Sequence, residues 1–199
     1  MGYPAIKVSR EKLKHNTKIL AEKCGRLGID IVPVTKVYCG IPEIAEASVA
    51  AGAKMLADSR IENIIKLKEL NAEKMLLRIP MLSQVDEIVE HVDISLNSEY
   101  EVIKALSGKA LQRGKIHKII LMVDLGDLRE GVWYKDAVEF AGRIVKLPGI
   151  KLVGLGTNLT CYGAVIPSVE NLGLMAALAE ETEKKYDIKL DIISGGNSS

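Results

Sequence analysis

Three stretches of this sequence carry side chains able to do chemistry. Lys36 closes an apolar run at 31–36. An amine whose stem is buried loses hydration of its charged form, which leaves more neutral nucleophile to condense with a carbonyl. The position also suits a lysine that snorkels to a rim. Arg129 lies in the loop Asp124-Leu125-Gly126-Asp127-Leu128-Arg129-Glu130-Gly131. Its planar fork can grip a phenolate or carboxylate oxygen, or pair on the surface with Asp127 or Glu130. Ser194-Gly195-Gly196-Asn197-Ser198-Ser199 can turn backbone N–H groups and hydroxyls onto an anion, or form an ordinary serine-capped turn. Asn158, at a strand end, suits a ligand contact or a turn. His15, His91 and His117 fall away from these places, and no serine–histidine or metal-ligand grouping is visible.

These residues need a frame. Short apolar runs at 31–36, 54–57, 75–79, 93–96, 118–125, 151–158 and 190–194 read as strands buried on both faces. Between them lie helical segments. The first starts near Arg10 behind Ser9 as cap, and Pro42 opens the second. The pairs Ser59/Glu62, Ser83/Asp86 and Ser98/Glu101 have capping-box spacing, and two later helices span about 135–146 and 169–186. Strands alternating with helices predict an α/β fold with a parallel sheet, either an open doubly wound sheet or a (β/α)8 TIM-type barrel truncated after strand 7. In both, ligands gather at the C-terminal strand ends, where Lys36, Arg129, Asn158 and the 194–199 segment fall.

Hydrophobic residues make up 48% and charged residues 27%, a globular balance, and the aromatic share of 4% leaves the core to aliphatic side chains. The net charge of +1 offers no single-sign field for nucleic acid or an anionic membrane. No run approaches a membrane span, and the start lacks an apolar signal core. Three cysteines, Cys24, Cys39 and Cys161, lack CxxC spacing, so inert thiols in a reducing cytoplasm are expected.

A lysine closing the run at 31–36, D-x-G-x-x-R-x-G after the run at 118–125, and an Asn-Ser pair after 190–194 together resemble the fold-type III pyridoxal-phosphate enzymes of the alanine racemase family. Segments 34–40 and 194–199 are most similar to its ornithine-racemase branch. The resemblance implies a pyridoxal 5′-phosphate cofactor carried by Lys36. It implies contact of Arg129 with the phenolic oxygen and of Asn158 with the ring. It places Asn197 and Ser198 at the phosphate, with Ser199 adding a donor. The implied reaction is racemisation of an amino acid: ornithine, another basic amino acid, or alanine. Lys36 would serve one face of Cα and a tyrosine of a C-terminal β domain, given by the partner subunit of a homodimer, the other. Residues 1–199 are then expected to form one cofactor-binding barrel domain, the N-terminal part of a longer protein.

The sequence departs from the family pattern in four ways. Gly40 stands where a phosphate-binding tyrosine is usual, with Tyr38 nearby. Met122 stands where many members carry a modified lysine that orients the arginine, so Arg129 needs other support. Asn158 replaces a histidine. Asp127 and Glu130 occupy positions that are commonly apolar, which suits a cationic substrate side chain. Competing readings are a pyridoxal-phosphate homeostasis protein without racemase activity, a D-amino-acid aldolase or dehydratase of the same fold, and an unrelated phosphate-binding barrel.

Overall fold

A computed structural model describes residues 4–160 and 165–195, in two compact units, Met1–Leu77 and Arg78–Ser199.

In the first unit, helix α1 (Arg10–Gly25) starts at Ser9, whose hydroxyl accepts the Lys12 N–H at 3.3 Å, and α2 (Pro42–Val49) starts on its proline. Strands β1 (Met55–Asp58) and β2 (Glu73–Leu76) pair in parallel around α3 (Ile61–Lys66). The run at 31–36 does not form a strand. It makes one parallel bridge, Val34 to Ala57, with Ala57 N–H donating to Pro33 O at 2.9 Å and Thr35 N–H to Ala57 O at 2.8 Å. Pro33 has no N–H to extend this ladder, and Thr35 is already helical (φ −93°, ψ −6°), so the chain leaves as a 3-10 turn at Lys36–Tyr38.

In the second unit, β3 (Ile94–Asn97), β4 (His117–Asp124), β6 (Ile150–Gly156) and β7 (Ile192–Ser194) lie in that order, all parallel. A two-residue strand, β5 (Val132–Trp133), pairs in parallel with the end of β4 and was not expected from the sequence. Helices α4 (Val85–His91), α5 (Tyr100–Gln112), α6 (Ala137–Val145) and α7 (Val169–Tyr186) complete it. Ile119, Leu121 and Val123, alternate residues of β4, pack with Ala137, Ala141 and Ile144 of α6 and Met175 and Leu178 of α7. The period of two on the strand meets the helical period, and each Ile, Leu, Val or Met among them contributes about 1.5–3 kcal/mol by leaving water. Gly154 lets β7 approach, since a Cβ there would strike the Ile192 carbonyl.

The three predicted serine boxes do not form. Helices α3, α4 and α5 begin after Arg60, Gln84 and Glu99, none of which caps through its side chain. The Asp58 carboxylate takes the Arg60 N–H at 2.9 Å, and Ser83 lies within a 3-10 turn, Leu82–Gln84. A capping box does exist at Ser168 and Asn171, opening α7.

His117 opens β4, 3% exposed, with Nε2 2.8 Å from Ser95 Oγ. Burial lowers its pKa from 6.5 to about 4. Above pH 6.5 the ring is neutral folded or unfolded. Between 6.5 and about 4 only the unfolded chain takes up the proton, so stability falls with pH across that window. At about 1.36 kcal/mol per unit the full loss is about 3 kcal/mol. Denaturant unfolding at pH 7 and pH 4.5 should show it, and His117→Gln should flatten that part of the slope. An equal slope in the variant would assign the acid sensitivity to other groups.

Candidate cofactor site

Lys36 lies in the first unit and Arg129 and Asn158 in the second. In the first, Lys36 follows the Val34–Ala57 bridge directly and begins the 3-10 turn. It is exposed, so the expectation of a buried stem is not met: the bridge is too short to enclose it. Its amine makes no hydrogen bond or ion pair among the described residues. Its neighbours, in contrast, are fixed. Thr35 Oγ1 donates to Asp58 Oδ2 at 2.6 Å, and Asp58 Oδ1 accepts Asn63 Nδ2 at 3.1 Å. Lys66 Nζ donates to Asn63 Oδ1 at 3.0 Å and to the Cys39 carbonyl at 2.9 Å. Cys39 and Gly40 both take positive φ, 54° and 62°. At Gly40 a Cβ would sit 2.8 Å from Asn63 Cβ, so this turn leaves no room for the tyrosine that the resemblance implies at this position. Tyr38 packs on Ala45, Leu56 and Leu67. Burial and then the Asp58 carboxylate raise its pKa, so the phenol stays neutral and belongs to the core.

In the second unit the loop after β4 is shaped by two devices. Asp124 Oδ1 accepts the N–H groups of Gly126 (2.8 Å) and Leu128 (3.1 Å), an Asx-type turn. Gly131 has φ +124° and lies against the Asp124 backbone. Between them stands Arg129. Of the two surface partners open to it in sequence, it takes Glu130, with Nε donating to Oε2 at 2.9 Å. Glu130 Oε1 also accepts from Asn158 Nδ2. One carboxylate therefore joins the two residues expected at the phenolic oxygen and the ring. This is the support that Arg129 lacked on sequence grounds, since Met122 is buried and apolar. Gly156 packs closely against Met122 and Ile120: a Cβ would lie 3.0 Å from Met122 Sδ and 3.1 Å from Ile120 Cγ2. Both oxygens of Asp127 are buried without a hydrogen-bond partner among the described residues. Glu130's double role was not legible in sequence, because its signal is a contact between loops 28 positions apart. Cys161, Asn197, Ser198 and Ser199 lie outside the described residues.

Parallel strands alternating with helices define an α/β protein, a class in which ligands gather beyond the C-terminal strand ends, as the loop bearing Arg129 lies beyond β4. The chain belongs to the alanine racemase N-terminal domain family, whose model matches residues 8–199. It is 43% identical over 198 residues to an ornithine racemase of Acetoanaerobium sticklandii, covering 99% of this chain and 56% of that protein. It is 39% identical over 200 residues to a lysine racemase of Thermotoga maritima, covering 100% and 56%. The chain thus spans little more than half the length of these relatives. Among solved structures, an alanine racemase of Clostridium difficile 630 superposes with TM-score 0.73 at 20% identity, over 92% of this chain and 49% of that one. PipY of Synechococcus elongatus, solved with PLP bound, superposes with TM-score 0.74 at 18% identity, over 88% of each chain. The fold is therefore that of the family's N-terminal (β/α)8-type barrel domain, and the open doubly wound alternative is set aside.

Proposed function

We propose that residues 1–199 act as the pyridoxal 5′-phosphate-binding barrel domain of an amino-acid racemase, and that the whole protein inverts a basic amino acid such as ornithine or lysine. The observation that carries this reading is Lys36, a solvent-reachable amine on a turn whose flanks are tied down, just past the Val34–Ala57 bridge. The donor set suits the cofactor. Lys36 offers a primary amine to an aldehyde. Arg129, its charge balanced by Glu130, offers a guanidinium to the phenolic oxygen. Asn158 offers an amide to the ring in place of the usual histidine. Asn197, Ser198 and Ser199 are the proposed phosphate holders.

When bound, the cofactor withdraws electron density from the substrate Cα. Lys36 would take the Cα proton from one face or return it there. Inversion needs a second proton carrier opposite, and the resemblance places that group in the remaining part of the longer relatives, given by a partner subunit. The relatives named for ornithine and lysine favour a cationic substrate. So does Asp127, because a buried carboxylate without a hydrogen-bond partner among the described residues is costly until a cation approaches.

The full-length protein, loaded with pyridoxal phosphate, is expected to convert L-ornithine or L-lysine to a mixture of enantiomers and to turn over L-alanine more slowly. Chiral chromatography of each amino acid reads this directly. A second reading, a cofactor-carrying protein without racemase activity, is favoured by the PipY superposition over most of both chains. Bound cofactor with every enantiomer left unchanged would select that reading and reject racemisation.

A further inference from the structure

We propose that Thr35, Asp58, Asn63 and Lys66 form a positioning network that presents the Lys36 amine to an aldehyde. This rests on the assignment of Lys36 made above. The bonds run in a closed path around the lysine. They leave the chain at Thr35, through its hydroxyl to Asp58 Oδ2 at 2.6 Å. They cross from Asp58 Oδ1 to Asn63 Nδ2 at 3.1 Å and from Asn63 Oδ1 to Lys66 Nζ at 3.0 Å. They return to the chain where Lys66 Nζ meets the Cys39 carbonyl at 2.9 Å. The path thus holds residues 35 and 39 and encloses Lys36. Gly40 adds a steric stop, since its backbone lies directly on Asn63.

Burial makes this path stiff. Thr35 and Asp58 are fully buried and Asn63 is 6% exposed. Asp58 is a charge without water, satisfied by the Thr35 hydroxyl, the Arg60 N–H and the Asn63 amide. Withdrawing one donor leaves part of a buried charge unmet, so the arrangement holds as a unit or rearranges as a unit. The Lys36 side chain makes no hydrogen bond or ion pair among the described residues, and its reach is set by the turn beneath it. A shift of the order of 1 Å in that turn is enough to slow attack on a carbonyl strongly.

The step concerned joins the Lys36 nitrogen to the aldehyde carbon, with the aldehyde oxygen leaving as water. The test follows it in the full-length apoprotein. Pyridoxal phosphate is added, samples are reduced with borohydride at intervals, and the labelled peptide is identified by mass. Thr35→Val removes the hydroxyl at nearly constant volume, Thr35→Ser keeps it, and Lys66→Met removes the clamp from an exposed position. Labelling of Lys36 is expected to slow roughly tenfold or more in Thr35→Val and severalfold in Lys66→Met, and to stay within about twofold of the parent in Thr35→Ser. Denaturation midpoints measured alongside show that Lys66→Met and Thr35→Ser are folded. Labelling of Lys36 at the parental rate in folded Thr35→Val and Lys66→Met overturns the positioning role while leaving the lysine assignment intact. Labelling at a different lysine in the parent protein overturns the assignment itself.

Discussion

Replacing Lys36 by alanine is expected to eliminate the covalent attachment of pyridoxal phosphate, with loss of the bound cofactor's visible absorption and of borohydride-fixed label. The effect should be complete, because the reaction needs a primary amine and alanine supplies none. The fold should hardly notice. Lys36 is exposed and makes no side-chain bond among the described residues, so its removal should alter stability by no more than about 0.5 kcal/mol. Loss of colour with an unchanged denaturation midpoint is therefore the expected pairing. Retention of the absorption in the variant would assign the cofactor to another amine.

Gly131→Ala should act in the opposite way, through the frame. At φ +124° the residue occupies backbone space that side chains rarely enter, and an added Cβ would lie 2.6 Å from Asp124 N and 2.8 Å from the Val123 carbonyl carbon. Both obstacles are main chain of β4 and its end, which cannot swing aside as a flexible side chain does. Backbone strain and overpacking each cost about 1–3 kcal/mol, so a loss of about 3 kcal/mol or more is expected. The displaced segment carries Arg129 and Glu130, so cofactor affinity should fall with stability. Chemical denaturation measures the first and absorbance titration the second. A midpoint within about 0.5 kcal/mol of the parent would mean that the loop takes a different path from the one described.

The sheet's long strands were legible because their composition leaves little choice. The β4 run and the β6 run are aliphatic and bounded by turns, and the helix at 169–186 was read to its ends. Local grammar failed where tertiary bonds intervened. Thr35 looks like a strand residue, but its hydroxyl is drawn to Asp58 and its backbone turns helical. Ser59 looks like a cap, but Asp58 already serves the neighbouring N–H. Two residues, Val132 and Trp133, are too few to show a period, so β5 left no trace in the pattern. The positions of Arg129 and Asn158 beyond the ends of β4 and β6 could be read from order alone, whereas Lys36 follows an isolated bridge and not a strand. What steadies them could not, since Glu130 reaches Asn158, and Asp58 reaches Thr35, across chain separations that carry no periodic signal.

Strand β4 changes neighbours near its end: it pairs with β6 as far as Met122–Gly156, and with β5 from Val123–Val132 onward. The chain between Asp124 and Val132 therefore departs from and comes back to one and the same strand. Both feet of that excursion are anchored in a rigid support, so swinging outward as a flap is denied to it. The exposed Leu128 at its middle can be exchanged for other residues while the anchorage stays as it is. Sequence change within the loop is therefore separable from the strand pairing underneath it.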